Sequence, residues 1–367
     1  MPPVEHLYVH IPFCPKLCPY CCFYVEEGSR NKNTAFVEAI LSELDSQMER
    51  RPVVPRTIYL GGGTPTALLT DQLELLFTGL RDRLSFENLL EWTMEANPAT
   101  VRADKARLIR QAGVTRISLG VQSWDDATLK TLGRVHSSKQ AHTTFDILRA
   151  VDFPAVNVDL MFSVPGQTLE QWESDLATTI GLDPNHVSAY CLTYEEDTEY
   201  FRKLTSGKFV QNEAHDASLF ESTMDRLGAA GYRQYEISNH ARPGFESRHN
   251  LACWEGKEYL GLGPSAFSTL AGSRIQNICN TAEYVARIQS GATPQSTCET
   301  LDEATLLKER IAFGLRKDTG VPEDLLQNWR SETAHLKEIG LLESHDSRVV
   351  LTRRGRMLAD AVGEAFM

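Results

Sequence analysis

The chain is 367 residues long, 42% hydrophobic and 23% charged, with a formal net charge of −12; this is the make-up of a globular protein with room for one large domain and a smaller appendage. No apolar run nears the roughly 20 residues that a bilayer-spanning helix needs, and the first residues lack the basic and apolar pattern of a signal peptide, so the chain is expected in the cytosol with no membrane span. The acidic balance argues against general nucleic-acid binding, which rests on basic surface.

The first expected strand, 7–11, runs into the loop with the densest chemistry of the chain. Tyr8-Val9-His10-Ile11-Pro12-Phe13-Cys14-Pro15-Lys16-Leu17-Cys18-Pro19-Tyr20-Cys21 sets three cysteines in a C-x3-C-x2-C spacing. Cysteine thiolates are the usual ligands of iron–sulfur clusters, and three of them leave one iron of a [4Fe–4S] cube without a protein ligand. An open iron suits chemistry better than electron storage. Cys18 and Cys21 by themselves also read as half of a zinc site or a redox dithiol, but no second C-x2-C follows, and His6 and His10 fall on the strand. Cys22 is expected to point away from a cluster. Cys191, Cys253, Cys279 and Cys298 are scattered, as thiols are in a reducing compartment.

Further strands are expected at 57–60, 91–95, 116–121, 156–161 and 186–193, alternating with amphipathic helices at 34–50, 70–84, 104–111, 139–151 and 169–181. Six strand–helix repeats indicate an α/β fold with a parallel sheet and crossover helices. Because the pattern stops at six, a partial, open (β/α)6 barrel is expected rather than a closed eight-fold one. Ligands of such barrels bind at the C-terminal rim of the strands, and there the chemical side chains fall. Gly61-Gly62-Gly63-Thr64-Pro65-Thr66 follows the second strand, its glycines letting the backbone approach a ligand. Glu95, in Glu95-Ala96-Asn97-Pro98, ends the third. Gln122, in Gly120-Val121-Gln122-Ser123, ends the fourth, Arg134 lies a helix later, and Asp159 sits in the fifth. Buried charges without partners cost several kcal/mol, so this set implies an ionic ligand or internal pairs.

After about Gly228 the pattern changes. A strand is expected at 232–238, followed by a stretch to 265 rich in Gly, Pro, His and aromatic residues. Thr300 with Glu303 reads as a capping box before a helix to Leu315; helical segments at 322–329 and 332–339 follow. A hairpin at 341–351, turning at His345-Asp346-Ser347, and a last helix at 353–362 complete a mainly helical, winged-helix-like C-terminal domain. The acidic chain favours a structural or substrate-covering lid over a DNA reader. The expected division is 1–235 for the barrel, 236–299 for a connecting segment and 300–367 for the C-terminal domain.

These motifs resemble the radical S-adenosylmethionine (SAM) superfamily. The runs at 8–14, 61–66, 95–98, 118–123, 133–137 and 159–168 resemble its coproporphyrinogen III oxidase-like branch, which includes the oxygen-independent oxidase, haem chaperones and radical SAM methyltransferases; the likeness extends from Leu7 to the C-terminus, Gly314-Leu315-Arg316 included. The resemblance implies a [4Fe–4S] cluster on Cys14, Cys18 and Cys21, contacts to SAM from Tyr8, Gly62, Gly63, Thr64 and Glu95, and a place for Gln122, Arg134 and Asp159 where other members hold a second SAM. It further implies reductive cleavage of SAM to a 5′-deoxyadenosyl radical, fed by an electron donor such as flavodoxin or ferredoxin, and leaves both SAM turnover and a homodimer open.

Within the branch, the oxidase resembles C-x3-C-x2-C-x-C, whereas this chain has Phe23 at the fourth cysteine; the haem-chaperone members have an aromatic residue there. They also show H-N-x-x-Y-W before Tyr-Leu-Gly-(Leu/Ile)-Gly. This chain reads His249-Asn250-Leu251-Ala252-Cys253-Trp254, then Tyr259-Leu260-Gly261-Leu262-Gly263-Pro264-Ser265-Ala266, with Cys253 in place of the tyrosine. The resemblance thus implies a protein that contacts haem through His249 and delivers it to a haem-dependent acceptor. Oxidative decarboxylation of coproporphyrinogen III and radical methyl transfer are the alternatives. On the residues alone, His249 reads either as a neutral imidazole for haem iron, with Trp254 and Tyr259 as apolar faces, or as a loop cap with Trp254 in the core. Arg242, Arg248 and Arg316 are candidate partners for the haem propionates.

Overall fold

The structure, a computed structural model, describes residues 2–367. Six parallel strands form the expected sheet: β1 (Val4–Ile11), β2 (Val53–Gly62), β3 (Glu91–Ala96), β4 (Arg116–Gln122), β5 (Ala155–Phe162) and β6 (His186–Cys191). Their crossovers carry α1 (Arg30–Arg50), α2 (Thr70–Arg83), α3 (Ala103–Gln111), α4 (Asp126–Thr131), α5 (Ser138–Ala150) and α6 (Leu169–Leu182). Local signals start two of these helices: Ser137 with Gln140 and Thr168 with Gln171 are reciprocal capping boxes ahead of α5 and α6. β2 begins earlier than expected because burial reaches back to Val53 and Pro55. β6 ends at Cys191, short of the expected 193.

Two helices, α7 (Glu199–Thr205) and α8 (Glu213–Ala229), follow β6. The expected strand at 232–238 is instead a tight reversal between β7 (Arg233–Gln234) and β8 (Asn239–Ala241), which pair antiparallel. Side-chain and main-chain bonds across the bend, from Gln234 Nε2 to the Ile237 carbonyl and from the Ser238 amide to Glu236, hold the turn that a continuous strand would lose. Next come α9 (Arg248–Trp254) and β9 (Leu260–Leu262). The completed sheet has nine strands in the order β7-β8-β6-β5-β4-β3-β2-β1-β9. Segment 236–299 therefore adds a strand on each side of the parallel set, with β8 antiparallel to β6 and β9 parallel to β1.

The sheet curls around the segment before α9. His249 bonds to Thr57 of β2, the amides of Arg248 and His249 donate to Glu91 of β3, Arg116 of β4 donates to the Phe245 carbonyl, and His186 of β6 bonds to Tyr235. Strands from both halves of the sheet thus meet one inner plug. Outside, β10 (Phe267–Leu270), β11 (Ser273–Asn277), α10 (Thr281–Gln289) and β12 (Gln295–Thr300) form a small antiparallel sheet with one helix.

The C-terminal part contains α11 (Glu303–Leu315), β13 (Val321–Pro322), α12 (Arg330–Glu338), β14 (Leu342–His345), β15 (Arg348–Leu351), α13 (Arg353–Met357) and α14 (Ala359–Glu364). Its apolar cluster, built on Ile311, Leu315, Leu326, Leu336, Val349 and Phe366, is separate from the core of the large sheet. The expected hairpin turns at Asp346 and Ser347, both at positive φ as a two-residue primed turn requires. Two expectations are corrected. Thr300 ends β12, and Asp302 caps α11 instead by accepting from the Thr305 amide. The last helix breaks at Leu358, because Gly355 backs directly onto the Leu341 carbonyl while Val362 and Phe366 turn into the cluster, and one straight helix cannot serve both. Among the described residues, no helix is long and apolar enough to cross a membrane.

Glu43 of α1 joins the outer segment to the barrel. It is 1% exposed and accepts from the Gly263 amide (2.9 Å), Asn277 Nδ2 (2.7 Å) and the Tyr284 hydroxyl (2.5 Å). Removing the acceptor leaves three buried donors unpaired, so Glu43→Ala is expected to cost about 3 kcal/mol. Asp45→Ala, which breaks only the exposed pair with Arg83, should cost under about 1 kcal/mol. Urea unfolding of both variants checks the contrast.

Candidate active site in the barrel mouth

The cysteine loop leaves the C-terminal end of β1 and returns to it. Phe13 bridges Glu26, the Cys14 amide donates to the Glu26 carbonyl (2.9 Å), and the Glu26 amide donates to the Pro12 carbonyl (2.8 Å), so residues 14–26 close at their base. Within the loop the Cys21 amide donates to the Cys18 carbonyl. Burial raises the Cys14 thiol above its usual range and Cys21 to about 11, and in each case the neighbouring cysteine charges push the same way. The cysteines of the loop thus lie near enough for their charges to act on Cys14 and Cys21, and a positive iron centre is what would draw off the protons of these two thiols. His6 and His10 are engaged elsewhere. The His10 Nε2–H donates to the Tyr24 carbonyl (2.8 Å), which leaves Nδ1 to accept from the Tyr8 hydroxyl (2.9 Å), while His6 bonds to Thr57. Among the described residues, no three His, Cys, Asp or Glu side chains are grouped to hold a single metal ion.

Across from the loop stand Gly61, Gly62 and Gly63. A Cβ on Gly63 would lie 2.7 Å from the Pro12 carbonyl carbon, and one on Gly62 would lie 2.5 Å from the His10 ring. The turn is thus pressed against the root of the cysteine loop, with the Gly63 amide bonded to the Ile11 carbonyl and the Thr64 amide to that of Phe13. Thr64 Oγ1 reaches Cys14 Sγ at 3.5 Å. Glu95 accepts from the Tyr59 hydroxyl (2.7 Å) and the Gly62 amide (3.2 Å). Burial, helped by the charge of Asp159, pushes its carboxyl up to about 7. Asp159, whose pKa burial also raises, accepts from Ser118 Oγ (2.9 Å) and Asn157 Nδ2 (2.6 Å). Among the described residues neither carboxylate has an ion-pair partner. Two such groups in one rim favour a cationic ligand.

Gln122 sits at the end of β4 with φ of 70° beside a break in register, a conformation that costs free energy for a residue with a Cβ and concentrates at functional sites. Arg134 donates to the Gly120 carbonyl (2.9 Å) and approaches Cys18 Sγ (3.6 Å), while its buried Nε has no partner. The structure thus brings Arg134 to the cysteine loop, Gln122 beside Arg134 at Gly120, and Asp159 near Glu95.

A cavity of about 570 Å³ opens beside the loop, within the range of small-molecule sites. Its walls include Tyr8, Phe23, Tyr59, Tyr259 and Phe267, with His249 and Cys253 on the α9 side. His249 and Cys253 are one helical turn apart and so share a face of α9. The helix is set by Glu91, whose buried carboxylate accepts from the amides of Arg248 (3.0 Å) and His249 (3.1 Å) at its N-terminus. Burial depresses the His249 pKa to about 3, so its ring is neutral, and it packs 5.1 Å from the Tyr59 ring. Cys22, expected to point away, is exposed and lines this cavity. Trp254 does not line it. It packs edge-on against Phe313 and lies in a second cavity of about 400 Å³ with Arg316, which shares Asn250 and Cys253 with the first. Arg242 is committed to Asp183 (2.6 Å) and the Tyr232 face.

Residues 8–178 match the Radical SAM superfamily model. "Heme chaperone HemW" of Bacillus subtilis is 33% identical, covering 99% of this chain and 99% of its own. The chain belongs to the HemW family of radical SAM proteins. The Escherichia coli HemW is 38% identical over 72% of this chain and 70% of its own. The solved structure of coproporphyrinogen III oxidase (HemN) from Escherichia coli covers 100% of this chain and 91% of its own with a TM-score of 0.85 and 22% identity, a likeness of fold. Radical SAM membership implies a [4Fe–4S] cluster and SAM, and the residues fit both: three free cysteines on one closed loop, a glycine cradle that a Cβ would fill, and two carboxylates without an ion-pair partner among the described residues for a sulfonium cation.

Thr57, Tyr59 and Glu91 were not legible as site residues. In β2 the alternation Thr57, Tyr59, Gly61 on one face was the available signal. Gly63→Ala is expected to abolish the brown cluster absorbance after anaerobic reconstitution, as should Cys14→Ala, Cys18→Ala or Cys21→Ala, while Gly228→Ala, whose Cβ meets nothing within 4 Å, should retain it. A second outcome concerns pH. A carboxyl near 7 is ionised only as pH rises through that value, so calorimetric SAM affinity should increase from pH 6 to pH 8 by up to about tenfold, and Glu95→Gln should flatten the rise. Without ligand, the same raised pKa makes the folded state lose stability as pH climbs from the ordinary carboxylate range through about 7.

Proposed function

We propose that this chain binds haem in the cavity between β1, β2 and α9 and hands it to a haem-dependent acceptor protein. The observation that carries the reading is His249, a neutral imidazole fixed by its Nδ1 and its backbone. Nε2 has no partner among the described residues, and the residue forms part of a wall rich in aromatic rings. Neutral imidazole nitrogen is a standard ligand for haem iron, and aromatic walls suit a porphyrin face. The heme-chaperone naming of full-length relatives supports haem as the cargo.

In this reading Cys14, Cys18 and Cys21 hold the cluster, while Tyr8, Gly62, Gly63, Thr64 and Glu95 receive SAM. Gln122, Arg134 and Asp159 would be the contacts of a second molecule of SAM in this reading. Cluster and SAM, when bound, supply one-electron chemistry through reductive cleavage of SAM. The chain orients the ligand against the glycine turn, balances its positive charge with Glu95 and Asp159, and shields the site from water with the loop and α9. Reduction falls to a donor of the flavodoxin or ferredoxin kind in the cytosol. Phe23, 66% exposed where the oxidase pattern has a fourth cysteine, supports transfer over oxidation of a porphyrinogen.

Haem titration of the anaerobically reconstituted protein, followed at the Soret band, should give saturable one-to-one binding, and His249→Ala should weaken it about tenfold or more. Binding that is absent, or indifferent to His249→Ala, overturns the reading and makes coproporphyrinogen III the next substrate to assay.

A further inference from the structure

His249 Nδ1 lies 2.8 Å from Thr57 Oγ1, and the same oxygen lies 2.9 Å from His6 Nδ1. Thr57 is 1% exposed and His249 5% exposed. A threonine hydroxyl carries a single proton, so between two ring nitrogens it must donate to one and accept from the other. Only two arrangements satisfy all three groups. In one, His249 Nδ1–H donates to Thr57, Thr57 donates to His6 Nδ1, and His249 Nε2 presents its lone pair to the cavity. In the other, every bond reverses and His249 Nε2 carries a proton, which bars it from a metal.

We propose that Thr57 and His6 form a hydrogen-bond relay coupled to the tautomer of His249, so that iron binding at Nε2 and the proton order His249 Nδ1–H to Thr57 to His6 Nδ1 stabilise one another. This rests on the reading of His249 as the haem contact and names the residues that ready it. The geometry suits the task. Glu91 fixes the His249 main chain from one side (3.1 Å), and the Tyr59 ring, tilted by 34° at 5.1 Å, restricts rotation of the imidazole. Register places His6 and Thr57 directly opposite one another on paired strands, so the relay is built into the sheet rather than into a mobile loop. Metal-bound histidines generally donate their second ring N–H to an acceptor that sets tautomer and basicity. Here the acceptor is a hydroxyl, and it accepts well because its own proton is drawn off by His6. Thr57 and His6 are positioning residues; neither touches the cavity ligand.

The test uses the full-length, anaerobically reconstituted protein with haem as the probe. Thr57→Val keeps the side-chain volume and removes the hydroxyl. It should weaken haem binding about tenfold and lower the Fe–imidazole stretching frequency of the ferrous complex, because the ring loses the acceptor that gives it imidazolate character. Thr57→Ser should restore both. His6→Phe removes the terminal acceptor and should also weaken binding. The double variant should bind no more weakly than Thr57→Val alone, since His6 acts only through Thr57. If His249→Ala weakens binding while Thr57→Val leaves affinity and the stretching band unchanged, or if the His6 and Thr57 effects add, the relay is overturned and the haem site stands. If His249→Ala itself has no effect, the haem reading falls first. Should Thr57→Val fail to fold, the His6→Phe and Thr57→Ser measurements decide: His6→Phe with normal affinity and an unshifted band overturns the relay.

Discussion

The end of β1 is clasped between two glycine turns, and the placement of the site follows from that clasp. On one side Gly62 and Gly63 of the β2 turn lie against the His10 ring and the Ile11–Pro12 backbone; on the other, Gly263 after β9 lies against the His10 carbonyl, where a Cβ would come within 2.5 Å. Gly62 and Gly263 adopt φ of 102° and 100°, which residues with a Cβ rarely tolerate. Parallel pairing of β1 with β2 and with β9 brings both turns to the same level. The cysteine loop therefore leaves the sheet from a root held on both sides, with Cys14 Sγ 3.5 Å from Thr64 beside the glycine cradle.

The barrel interior is polar, which sets its second constraint. Asn157 donates to Ser118, Ser188 and Asp159 and accepts from His186 Nδ1–H; the other His186 nitrogen accepts from Tyr235, and Glu91 caps α9. These groups pair between strands, as a low-dielectric interior demands, although Thr93 Oγ1 and both ring nitrogens of His240 are buried without a partner among the described residues. Toward the rim the pairing gives out. Glu95 and Asp159 have only neutral donors and Arg134 keeps an orphan Nε. The transition from a satisfied network to unbalanced charge marks where a ligand belongs. Because α9 enters the barrel from the inside, the His249 cavity and the cysteine loop open onto the same space. His249 and the cysteine loop are thereby neighbours rather than occupants of separate domains.

The strand–helix alternation, the cysteine triplet and Glu95 were legible because each is a local pattern: period-two burial, a fixed thiol spacing, a carboxylate at a strand end. The hairpin at Asp346-Ser347 was legible for the same reason. Thr300 misled because a capping signature does not report that its first residue is taken by a strand. Trp254 stood open between a porphyrin face and the core, and packing decided for the contact with Phe313 of α11. Thr57 and Tyr59 were silent, since an inward-facing threonine or tyrosine in a strand looks the same whether it fills space or positions a histidine.

By itself the sequence determined the six-fold α/β pattern, the thiol set and the family motifs, all of which are written in spacings shorter than one secondary-structure element. Tertiary structure alone decided that 236–299 flanks and plugs the barrel, that α9 sets His249 against Thr57 and His6, and that Cys253 lines the cavity. Those facts depend on contacts between residues far apart in the chain, 243 positions in the His6–His249 pair and 253 in the Leu7–Leu260 pairing, where no local propensity acts and only strand register and packing choose the partner.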